Sequence, residues 1–145
     1  MITADQIVEF SRSWIGTPWA HQGRSRSGVD CAGLLVCTAQ HFSLDHEDMI
    51  GYGREPGKAF LKHVKSHTLP VRPRKPINGA IGIFNDTIMP CHTGIFAVDK
   101  EGQVTVIHSE SWPKRRVHEQ DYQESSLSLR DRLVDIRLFK GVCYV

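Results

Sequence analysis

Apolar residues at the start of the chain recur at helical spacing. Ile7, Phe10, Trp14 and Ile15 line one face of a segment opened by Thr3, with Gln6 three residues on. This capping-box pattern predicts a helix that Gly16 and Pro18 bring to an end. A polar loop follows from His21 to Asp30, carrying Gly23, Gly28 and several Ser and Arg residues. Residues 31–42 then turn mostly apolar on every side, the pattern of a central, buried helix. Residues 58–65 predict one more short amphipathic helix.

Beyond Pro70 the periodicity changes. Pro70, Pro73 and Pro76 break helix and favour an extended connection. Residues 80–84, 93–98, 104–109, 115–119 and 133–140 follow as short β-rich runs, and Asp99-Lys-Glu-Gly102 reads as a hairpin turn between two of them. Helices first and strands later predict an α+β fold, its N-terminal helices packed on a C-terminal antiparallel sheet, with residues 1–145 as one domain.

Composition narrows the function classes. With 40% apolar and 23% charged residues, the 145-residue chain has the make-up of an ordinary soluble globular protein. No apolar run approaches the roughly 18–20 residues of a membrane span. Asp5, Gln6, Glu9 and Arg12 interrupt the N-terminal apolar residues, so no signal peptide is expected. A net charge of +2 gives no reason to expect a nucleic acid partner. The basic runs 24–26, 72–75 and 114–116 are short and read as solvated faces. Cys31, Cys37, Cys91 and Cys143 contain no C-x-x-C pair, and Cys31 and Cys37 would face opposite sides of one helix. They suit a reducing compartment, or thiols with a chemical role, better than a disulfide framework.

The candidate chemistry gathers at the start of the second helix. Asp30-Cys31-Ala32-Gly33 puts a thiol in a first helical turn, where unpaired N–H groups and the helix dipole favour a thiolate. The same N–H groups can hold an oxyanion formed when the thiolate attacks a carbonyl. A buried cysteine with no role is the competing reading. His92 and His108 lie about equally far on either side of the Asp99–Gly102 turn, so a hairpin makes them neighbours. A base, an orienting group and a helix-terminal thiol form the general pattern of an activated cysteine. His21 lies near enough in sequence to line the cleft, while His41, His46, His63, His67 and His118 read as surface or satisfied core residues.

Four segments carry a resemblance: Gly16-Thr-Pro-Trp19, Gly28-Val-Asp-Cys-Ala-Gly-Leu34, His92-Thr-Gly-Ile95 and Ile107-His-Ser109. In this order they resemble the NlpC-type cell-wall cysteine peptidases, most of all the single-domain versions of phages and phage-like particles. The resemblance spans residues 2–110 and implies a papain-like fold. It implies hydrolysis of peptide bonds in the peptidoglycan stem, with the D-glutamyl–diaminopimelate link a frequent target. By motif, Cys31 matches the nucleophile, His92 the general base and His108 the residue that orients the base. Trp19 stands where the family usually has tyrosine, Gln22-Gly23 where it has a glycine pair, Ala32 where a serine follows the nucleophile, and Gly79-Ala80 for the usual Gly-Asp.

The expected mechanism is a thiolate–imidazolium pair of Cys31 and His92, acyl transfer to the thiol, and hydrolysis of the thioester, with no metal or other cofactor. The Cys31 N–H is one oxyanion donor. A group near Trp19, His21 or Gln22 supplies the second or contacts substrate, and Asp30 supports this region. Expected partners are the peptidoglycan stem peptide and components of a phage tail or phage-like particle. The protein is expected to be made in the cytoplasm and to reach the wall by particle, holin or lysis. Two other readings stay open. One is an inactive wall-docking or tail-assembly protein of the same fold, and the other a zinc protein holding its ion on Cys31, Cys91, His92 and His108.

Overall fold

Thr3 caps the first helix as its sequence predicts. Its hydroxyl accepts the Gln6 N–H at 3.2 Å, and the Gln6 side chain accepts the Thr3 N–H at 2.8 Å, so α1 (Ala4–Arg12) begins with both donors satisfied. The computed structural model describes residues 1–53, 57–85, 90–123 and 129–145, with the backbone alone at Pro90 and Cys91. Ile7, Val8 and Trp14 are buried, but Ile15 is 47% exposed. The helix has ended by then, and the chain turns through Ser13 to Gly16, where φ is +93°.

The stretch from His21 to Asp30 is not the plain loop its polarity suggests. Arg24–Ser25 (β2) and Gly28–Val29 (β3) form a short antiparallel ladder. Close packing demands its glycines: a Cβ on Gly23 would lie 2.3 Å from the Gly28 carbonyl oxygen, and one on Gly28 would lie 2.5 Å from the Ala20 Cβ. Arg24, expected on a solvated face, is instead mostly buried, with Asp30 and Asp48 each at 3.0 Å.

The second helix, α2 (Cys31–His41), is the buried centre: every residue from Cys31 to Ala39 is shielded from water. α3 (Lys58–Ser66) is amphipathic and turns Phe60 and Val64 inward. The strands Thr68–Pro70 (β4), Ile81–Asn85 (β5), Pro90–Val98 (β6), Val104–Ser109 (β7), Val117–Asp121 (β8) and Leu133–Phe139 (β9) form one antiparallel sheet in the order β4-β9-β5-β6-β7-β8. One face, with Ile81, Ile83 and Ile95, packs on Ile7, Leu35 and Phe60 of the three helices. The opposite face, with Phe84, Phe96 and Val106, is covered by Tyr122 and Leu129. This is the α+β arrangement expected.

The C-terminal stretch is integral to the fold. β9 inserts between β4 and β5, and Val142–Cys143 (β10) pairs in parallel with Ile2–Thr3 (β1), joining the two ends of the chain. Among the described residues, no helix is long and apolar enough to cross a membrane.

Candidate active site

Asp30 fixes the start of α2. Its Oδ1 accepts the Gly33 N–H at 2.7 Å, the N-cap bond that orders the first turn. The same carboxylate accepts from the Gln22 N–H at 2.9 Å, from Arg24 at 3.0 Å and from the Tyr52 hydroxyl. Asp30 is 1% exposed, and these donors together satisfy its charge. Gly33 lets the β2–β3 ladder press against the helix, since a Cβ there would lie 2.1 Å from the Gly23 carbonyl oxygen. Cys31 thus occupies the first position of a helix whose N-terminus is held from four directions, and its thiol is buried.

The hairpin forms where the sequence predicts it. The Asp99 N–H donates to the Gln103 carbonyl, Val98 pairs with Val104 and Ile95 with Ile107. His92 and His108 meet at its far end, with His92 Nε2 2.7 Å from His108 Nδ1. Gly94 makes room for this contact: a Cβ there would lie 2.6 Å from Val106 Cγ1 and 3.0 Å from His108 Cβ. Thr93 faces α2 and donates its hydroxyl to the Cys31 carbonyl at 3.2 Å. His92, one residue earlier, lies beside Phe84 and His108.

A third residue orders the histidines, and it escaped the sequence reading. Gln120 on β8 presents Oε1 to His108 Nε2 at 3.1 Å. With Gln120 accepting, His108 carries its proton on Nε2 and accepts at Nδ1, so His92 donates from Nε2 and leaves Nδ1 as a base. His118, read from sequence as a surface or core residue, is the cross-strand partner of His108, with ring centroids 4.5 Å apart. Its Nε2 stands 3.4 Å from Glu110 Oε1, an ion-pair distance. Period-2 alternation along β8, which puts His118 and Gln120 on one face, was the available signal.

Burial controls the charge of this group. It pulls the His92 pKa down to about 3, and positive charge at Arg132 and His118 acts in the same direction. His108 is also driven well below its ordinary range, first by burial and then by His92. Both rings are therefore neutral at pH 7.

The residues expected to assist divide into two groups. Trp19 and His21 stack with ring planes 10° apart, and Tyr52 continues this aromatic wall. The backbone N–H groups nearby are already engaged: Trp19 donates to Arg115, Gln22 to Asp30 and Gly23 to Ala20. The Gln22 side chain donates to the Tyr52 carbonyl at 2.9 Å, so Gln22, at φ +58°, serves to hold the loop. Asp30 is an acceptor beneath the helix start and offers no proton to an oxyanion.

The Cys91 side chain, needed by the zinc reading, lies outside the described residues. Among the described residues, the groups able to hold a metal ion are Glu47 with His63 and His67, and His108 with Glu110 and His118. Neither group contains Cys31 or His92.

No family model matches the sequence, and no curated protein matches it. Solved structures do. An NlpC/P60 family protein from Bacillus cereus matches with a TM-score of 0.69 at 16% identity, over 94% of this chain. The chain spans 40% of that protein's length. The NlpC/p60 domain of the peptidoglycan hydrolase SagA matches with a TM-score of 0.57 at 19% identity, over 94% of this chain and 98% of that domain. With its thiol at the start of the central helix and its paired histidines on the sheet, the chain has the papain-like fold of NlpC/P60 domains.

Proposed function

We propose that this protein is a cysteine peptidase that hydrolyses peptide bonds in the peptidoglycan stem, the D-glutamyl–diaminopimelate link being the leading candidate bond. The observation that carries this reading is the ordered chain from Gln120 through His108 to His92, one residue from the threonine that grips the Cys31 backbone. A pure docking protein has no need of a buried histidine pair with a defined tautomer. The likeness to the SagA peptidoglycan hydrolase domain supports the substrate class.

In this mechanism Cys31 projects past the end of α2, because helical Cβ atoms tilt toward the N-terminus. Burial holds the resting His92 ring neutral. His92 takes the thiol proton as sulfur attacks the amide carbonyl. The tetrahedral oxyanion is held at the helix N-terminus, with the Cys31 N–H as one donor. His92 then gives its proton to the leaving amine, and a thioester remains on Cys31. Water, deprotonated by His92, attacks the thioester and releases the carboxylate. His108 shares the charge of the transient imidazolium, and Gln120 fixes its tautomer. Trp19 and His21 form the wall against which the stem peptide lies. Delivery to the wall by a phage-like particle, holin or lysis belongs to the same proposal.

Digestion of purified peptidoglycan, read by mass spectrometry, tests it. The expected products are stem peptides cut at one bond, with a new amine and a new carboxylate. Cleavage of glycan strands, or an unchanged sacculus, would overturn the reading.

A further inference from the structure

Away from the histidine pair, α3 ends in a second constellation. His63 lies in its last turn and His67 caps it, four residues on, so the two imidazoles share one helix face. Glu47, from the segment after α2, reaches both: its Oε2 is 2.6 Å from His63 Nδ1 and 3.4 Å from His67 Nε2. These three ligand atoms all lie within 4.8 Å of one another. A tetrahedral zinc ion with bonds of about 2.1 Å separates its ligand atoms by roughly 3.4 Å. The Glu47–His67 distance already has this value, and the Glu47–His63 distance must open by less than an ångström. Glu47 is half exposed and free to make that adjustment.

The surroundings favour a cation. His67 donates from Nδ1 to Asp45 at 2.9 Å, which leaves Nε2 as the ligating nitrogen. This is the carboxylate–histidine arrangement that orients a metal ligand and raises its basicity. Lys140 holds the other Asp45 oxygen at 3.3 Å. The C-terminal end of α3 adds the negative end of a helix dipole. Two imidazoles and one carboxylate suit Zn²⁺ better than the all-oxygen preference of Ca²⁺ or Mg²⁺.

We propose that Glu47, His63 and His67 bind one Zn²⁺ with an open fourth position for water, and that the ion clamps the 44–52 segment onto α3. That segment ends at Tyr52, whose hydroxyl holds Asp30 and Arg24 and whose carbonyl receives the Gln22 side chain. The ion is a structural brace for the frame beneath Cys31 and takes no part in bond cleavage.

The test uses the full chain carrying Cys31→Ala, which removes the thiol of the other site as a competing ligand. Co²⁺ and Zn²⁺ are titrated in separate arms, by visible absorption and by calorimetry, with melting temperature as a second readout. The proposal expects one ion per chain, visible d–d bands of a low-coordinate Co²⁺ site, and a rise in Tm of about 5 °C or more at saturating Zn²⁺. His63→Ala and His67→Ala should each weaken binding at least about 100-fold, and Asp45→Asn about 10-fold. Circular dichroism of the ion-free variants, matching the parent, shows that they fold. Absent binding at 100 µM Zn²⁺ would overturn the proposal, and so would full-strength binding in a folded His63→Ala, His67→Ala double variant.

Discussion

His92 and His108 were legible at the residue scale because a hairpin register is arithmetic about its turn. Gln120 and His118 were not: they come from the next strand, whose register no local turn fixes. The proposed division of labour gives distinct outcomes. Cys31→Ala abolishes hydrolysis of stem peptides without loss of fold, whereas Cys37→Ala and Cys143→Ala leave turnover near the parent value. His92→Ala removes the base of both half-reactions and lowers kcat by roughly 10³-fold or more. His108→Gln keeps one hydrogen bond to His92 and should retain more activity than His108→Ala. Steady-state kinetics on a stem-peptide substrate rank all six variants, and full activity in His92→Ala would assign that ring no part in the chemistry.

The helices were the more readable elements. Thr3 and Gln6 announced α1, and the unbroken apolar stretch after Asp30 announced α2 as the buried one. Less readable was the segment between them, because its order arises from contacts distant in sequence. Arg24 looks like surface until Asp48, Met49 and Tyr52 close over it. Strand β9 was visible as a β-rich run, but its place between β4 and β5 was not, since long-range pairing leaves no local mark. Asp30 is the element-scale keystone: one carboxylate caps α2, receives the 22–24 turn and binds Tyr52. Asp30→Ala deletes the cap and strands a largely buried Arg24, so it should cost about 3 kcal/mol or more. Tyr52→Phe removes the hydroxyl's hydrogen bonds with Asp30 and Arg24 and should cost about 2 kcal/mol. Urea unfolding of both variants checks the order; a milder loss in Asp30→Ala than in Tyr52→Phe contradicts this account of the network.

For the whole molecule, two buried neutral histidines make stability depend on pH. Their folded pKa values lie below the ordinary value near 6.5, so in mildly acidic solution the unfolded chain binds more protons than the native one. Stability is fully present above about pH 6.5 and falls as the pH drops below it, His92 alone contributing roughly 1 kcal/mol per pH unit down to about pH 3 and His108 adding to the loss in the same direction. Denaturant midpoints at pH 7, 6, 5 and 4 should trace this decline, and His108→Gln should flatten it. A midpoint that holds steady from pH 7 to 5 would mean that the rings are not buried neutral. The central claim, that Cys31 is the nucleophile, has a more direct test. The protein is alkylated with iodoacetamide to graded extents, peptide mapping gives the labelled fraction of Cys31, and hydrolysis of peptidoglycan stem peptides is measured on each sample. Activity should fall in one-to-one proportion to labelled Cys31, independent of labelling at Cys37 and Cys143, and reach zero when Cys31 is fully modified. Hydrolysis that persists in fully labelled protein would contradict the account.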